Sequence, residues 1–145
     1  MDLSEHLAKR TCAHVMRNVS GDVGAAFRGR LFVYNENKGH IPTWGGYHMR
    51  FVDEDDYIRI GFSDGRDDVN CLRDKLSGGL DVPKKYRDVV KSVDVREENG
   101  ELFVDLCMRL KANASGRVQN EDKLFHAVYH VAVKPVLRAI FELKK

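Results

Sequence analysis

Residues 93–111, VDVREENGELFVDLCMRLK, decide the class of fold. Asn99-Gly100 separates two runs of alternating character, and these two residue types accept the positive φ angles of a tight hairpin turn. After the turn, Leu102, Val104, Leu106, Met108 and Leu110 recur at every second position. In an extended chain they share one face, so the hairpin has a single dry side. An earlier pair repeats the pattern: YHMRFV (47–52) and YIRIGF (57–62) flank the polar DEDD (53–56). Tyr47, Met49 and Phe51 alternate with His48 and Arg50, while Ile58, Ile60 and Phe62 alternate with Arg59 and Gly61. Two hairpins without a strand–helix–strand alternation imply a largely antiparallel sheet.

Working outward, RGRLFVYNE (28–36) is apolar at both parities and reads as a strand in the sheet interior. NKGHIPTWGG (37–46), rich in Gly and Pro, reads as a loop. The N-terminal segment reads as a helix to about Val19, with Ala8, Cys12, Val15, Met16 and Val19 on one side and His6, Arg10, Ala13 and Arg17 opposite. Residues 64–76 repeat apolar side chains at Val69, Leu72 and Leu76 before Gly78-Gly79, and Pro83 opens a further turn or two. Asn120 caps a last helix that runs to the end of the chain. The expected fold is α+β, a single domain over residues 1–145. It has a five-stranded, largely antiparallel sheet in the order helix, three strands, one or two helices, two strands, helix.

The 145 residues suffice for one core without disulfides. The 24 basic and 22 acidic side chains leave +2, so no global field draws the chain to nucleic acid or membrane, and any basic site must be a local patch. Cys12, Cys71 and Cys107 are odd in number and lack a C-x-x-C spacing, which argues for reduced, mostly buried thiols and against zinc ribbons and redox dithiols. The charged N-terminus has no apolar signal core, and no run approaches the ~18 apolar residues of a membrane span. A cytoplasmic location without membrane contact is expected.

Catalytic signatures are missing. The glycine pairs have neither a phosphate-loop lysine nor dinucleotide spacing, and no nucleophile elbow occurs. The DEDD turn lacks the ligand order of a calcium loop and reads as a solvated hairpin tip. His126 and His130 lie four apart on one helical face, as two zinc ligands would, but Ala127 stands where a metalloprotease carries its glutamate and no third ligand is marked. No metal, cofactor or catalytic residue is assigned. The order of elements is similar to that of class I type III secretion chaperones, a resemblance that implies a homodimer holding an extended segment of a partner. The balanced charge departs from the acidic character usual in that family.

On a 3.6-residue wheel the last helix carries two adjoining stripes. Phe125, Val128, Ala132, Val136, Ala139, Ile140 and Leu143 form one, and His126, Val133, Leu137 and Phe141 the other. Lys123, Lys134, Arg138, Glu142 and Lys145 remain for water. A helix on one sheet needs an apolar arc of about 100°, so the surplus face of Val133, Leu137 and Phe141, edged by His126 and His130, needs a second cover: the first helix or another subunit. Pro135 is expected to bend the helix. The leading reading is a regulatory protein-binding module that self-associates through this face. The alternative is nucleic-acid binding through Arg10, Arg17, Lys84, Lys85 and Arg87 with Trp44 as a stacking platform; a metal-dependent enzyme is third.

Overall fold

The computed structural model describes residues 3–18, 32–35, 41–44, 47–53, 57–63, 69–109 and 121–143. The elements are α1 (Leu3–Asn18), β1 (Phe32–Asn35), β2 (Ile41–Trp44), β3 (Tyr47–Asp53), β4 (Tyr57–Ser63) and α2 (Asn70–Lys75). A 3-10 turn (Lys84–Tyr86) leads to β5 (Val90–Glu98) and β6 (Glu101–Met108). The C-terminal helix comprises α3 (Glu121–Val128), a π-helical turn (Tyr129–Val133) and α4 (Lys134–Leu143).

The α+β class is observed. Its sheet is antiparallel throughout, in the order β1-β2-β3-β4-β6-β5. Four long strands, β3, β4, β6 and β5, form the centre, and two four-residue strands extend it, which corrects the expected count of five. The extra strand, β2, lies within the segment read as a loop. β1 is the outermost strand rather than an interior one. The hairpin turn at Asn99-Gly100 has φ of 52° and 78°, as its sequence requires.

Register decides what each face does. Phe51 pairs with Ile60, Ile60 with Val104 and Val104 with Val95, so one row crosses four strands on the side facing the helices. The opposite side is polar. There Arg59 donates from Nε and Nη2 to the Asp105 carboxylate (2.7 and 2.9 Å) and from Nη1 to Glu98 (2.9 Å). Arg50 donates to Glu101 at 3.3 and 3.0 Å. Both guanidinium groups lie over Phe103, at 4.3 and 5.5 Å from its centroid, and Phe103 is buried beneath them. Gly61 makes this packing possible, because a Cβ there would fall on the Glu101 carboxylate and within 2.9 Å of the Phe103 ring.

The C-terminal helix is buried nearly all round. From residue 124 to residue 140, only His126, His130, Lys134, Pro135 and Arg138 escape full burial. Val133 and Leu137, expected to await a second subunit, are 0% and 1% exposed within this chain's own core. The reason is the π turn. Pro135 has no N–H for the carbonyl four residues back, and its ring would clash there; the wider turn relieves both, with Lys134 N–H donating to the Tyr129 carbonyl five residues back. The two halves of the helix therefore bury stripes of different phase. A uniform wheel superposes them into one over-wide arc. The side chain of Phe141 lies outside the described residues.

Candidate functional site

The partly or fully exposed side chains of the C-terminal helix include Asp122, His126, His130, Lys134, Arg138 and Glu142, one every fourth residue. Steps of four overshoot an α-turn by about 40°, so five steps in an uninterrupted helix would wind this row by about 200°. The π turn takes back part of that drift, which keeps the row along one wall.

The facing wall is the 3-10 turn. Pro83, at φ −57°, precedes it, and Tyr86 N–H donates to the Pro83 carbonyl at 2.9 Å. Arg109 secures its exit: its backbone N–H donates to Val89 (2.6 Å) and its Nε to the Arg87 carbonyl (3.0 Å). This turn buries Tyr86 against the helix and leaves Lys85 exposed. The Tyr86 ring stacks on His130 with centroids 5.7 Å apart and planes 10° apart, and His130 stacks on His126 at 6.1 Å and 17°. From α1, His14 meets His126 edge-on at 6.2 Å and Tyr129 at 4.4 Å. Three histidines from opposite ends of the chain thus converge.

Two adjoining hollows run between the walls. One, of about 500 Å³, is lined by Pro83, Lys85, Tyr86, His130, Lys134, Pro135 and Arg138. The other, of about 400 Å³, is lined by Lys85, Tyr86, Asp122, Lys123, His126 and His130. Lys85, Tyr86 and His130 belong to both, so the hollows form one groove. Its size is that of ligand sites generally.

Its charge is uneven. The larger hollow carries Lys85, Lys134 and Arg138 with no carboxylate among its described lining residues. In the smaller, Asp122 accepts a hydrogen bond from Arg10, which holds its carboxyl below the ordinary range, and Lys123 does the same to Asp88. His126 Nε2 lies 3.6 Å from Asp122. Burial, then the nearby Lys134, His126, His14 and Lys85, pushes the His130 pKa below its usual value. His14 is lowered by burial, then by His126, Arg10 and Lys134. Burial raises the Tyr129 hydroxyl to about 12. A neutral imidazole among fixed cations is suited to receiving an anion. Among the described residues, no group of three or more His, Cys, Asp or Glu side chains is placed to hold a metal ion.

Of the residues expected to contact nucleic acid, Lys85 lines the groove, whereas Lys84 and Arg87 are exposed and outside its lining. Arg10 is engaged by Asp122 and lies 4.4 Å from the Phe125 centroid. The side chains of Arg17 and Trp44 lie outside the described residues, as do residues 54–56 of the acidic turn. Sequence reasoning missed Tyr86, Lys134 and Arg138 as site residues; the signal for Lys134 and Arg138 was the four-residue spacing along the last helix, and Tyr86 had no local one. Cys71 is exposed rather than buried, and Cys107 is half-buried. No helix among the described residues is long and apolar enough to cross a membrane. No family model, curated protein or solved structure matches the chain.

Proposed function

We propose that this protein binds single-stranded nucleic acid, with phosphates seated along the groove between the 3-10 turn and the C-terminal helix. The observation that carries the reading is the larger hollow, where Lys85, Lys134 and Arg138 gather with no lining carboxylate among the described residues. Lys134 and Arg138 are one helical turn apart, about 6 Å along the axis, and so offer successive positive positions to a backbone rather than one point charge. Pro83, Tyr86 and Pro135 supply apolar surface beside them, which suits sugars and bases. The continuous second hollow extends the track.

Protein binding through self-association has less support. The face that motivated it, at Val133 and Leu137, is covered by this chain's own core. Among the described residues Leu143, at 37% exposure, is the one large hydrophobic side chain left open, and an interface needs a contiguous patch.

The test is fluorescence anisotropy of a rhodamine-labelled uridine oligomer and its thymidine counterpart between about 50 and 200 mM salt. Log affinity is expected to fall linearly with log salt. Lys134→Ala with Arg138→Ala should weaken binding to all sequences alike, by at least about tenfold, with a shallower salt slope. No binding at the lowest salt, or undiminished binding by the double variant, overturns the proposal.

A further inference from the structure

We infer that His130 is a ligand-contacting residue of the groove, meeting a phosphate oxygen as an imidazolium, so that seating the phosphate takes up one proton from solvent. The inference rests on the nucleic-acid reading above and adds to it a residue and a linkage.

The position of the ring carries the argument. His130 lines both hollows, and so occupies the junction that a bound strand must cross. Tyr86 and His126 stack nearly parallel to it, and the edge bearing the nitrogens is the part of the ring suited to hydrogen bonding. An imidazole edge meets a phosphate oxygen best when both nitrogens carry protons, because charge-assisted hydrogen bonds are roughly twice as strong as neutral ones.

The surroundings set the sign. Facing His130 are Lys85 and Tyr86 from the 3-10 turn, Asp122, Lys123, His126, Lys134 and Arg138 from its own helix, and His14 from α1, beside which lies Arg10. Burial opposes protonation of His130 most, and the neighbouring cations oppose it further. The carboxylate Asp122 is engaged by Arg10. A phosphate in the larger hollow places negative charge among those cations and reverses the balance at His130. One proton then moves from water to the ring, with no bond of the ligand broken. His14 lines neither hollow and is not the coupling group.

Calorimetric titration of the unsubstituted protein with a uridine oligomer, in two buffers of different ionisation enthalpy near neutral pH, reads the proton directly. The heats are expected to differ by the uptake of up to one proton, and the affinity to rise toward acid between about pH 8 and pH 5, by at most about tenfold per unit. His130→Gln, checked for retained folding by circular dichroism, should still bind at the alkaline end but lose the slope, while His126→Gln and His14→Gln keep it. Equal heats in the two buffers from a protein that binds overturn the inference and leave the nucleic-acid reading standing. A slope that survives His130→Gln, or that vanishes in His126→Gln instead, overturns the assignment to His130. If the unsubstituted protein binds no oligomer at any pH, both readings fall.

Discussion

The outer face of the sheet and the groove on the opposite side of the core use cationic side chains to opposite effect. On the sheet, Arg50, Arg59 and Arg96 face Asp94, Glu98, Glu101 and Asp105, each arginine within 4.0 Å of at least one carboxylate. Their charge is spent on cross-strand pairing and on covering Phe103. In the groove, Lys85, Lys134 and Arg138 line a hollow without a carboxylate among its described residues. A net charge of +2 therefore conceals a separation. Composition gives the total and not where the basic side chains gather.

The layer between the two regions is this chain's own core. Leu137→Asp tests it most severely: an unpaired carboxylate at a 1% exposed position should cost about 4 kcal/mol or prevent folding, read by chemical denaturation. A variant that keeps its stability and only changes its oligomeric state would restore the subunit-interface account. Next, Asp105→Ala removes the bidentate partner of Arg59, whose side chain is 19% exposed, and should destabilise by about 2 kcal/mol while oligomer affinity stays unchanged. Loss of affinity in that variant would erase the distinction between the two faces.

The pH dependence sharpens the contrast further. His14 and His130 titrate below the ordinary value in the folded chain, so the unfolded chain takes up protons first. Their contribution to stability is complete above about pH 6.5 and is lost as pH falls from there toward their lowered folded values. Denaturation across that window should show the loss in unliganded protein, and His14→Gln with His130→Gln should reduce it. Asp88 and Asp122 act in a separate, more acidic window, because their lowered values place their loss below the usual carboxylate range. The smallest effect is expected from Glu98→Gln on the sheet: at 46% exposure its pairing with Arg59 is screened, and the change should stay under about 0.5 kcal/mol.

Both long hairpins were legible because their signals are local, a period of two and an Asn-Gly turn. β2 was not, since Pro42 and the neighbouring glycines argue for a loop, yet Pro42 pairs opposite Tyr34 in the outermost ladder, where a missing donor is tolerated. β1 misled by being apolar at both parities, although it lies at the edge, where α1 packs against it. The groove was the least legible part. Its walls come from residues 83–86 and 122–138, and Lys134 and Arg138 look like any solvated helix face until the opposing turn is in place. The surplus face expected at Val133 and Leu137 came from a wheel of constant pitch drawn across a helix whose pitch changes ahead of Pro135.

That change of pitch also makes chain length matter differently along the helix. A π turn holds one residue more than the α path it replaces. Removing one residue within 129–133, together with Pro135→Ala, would let the helix close into a continuous α path with both flanks still directed as they are now. Removing one anywhere else would rotate everything downstream by about 100°, swinging the buried Ile140 toward water and Glu142, now paired with Lys75 at 2.7 Å, away from its partner. One short segment of this helix is thus tolerant of a deletion that the remainder is not.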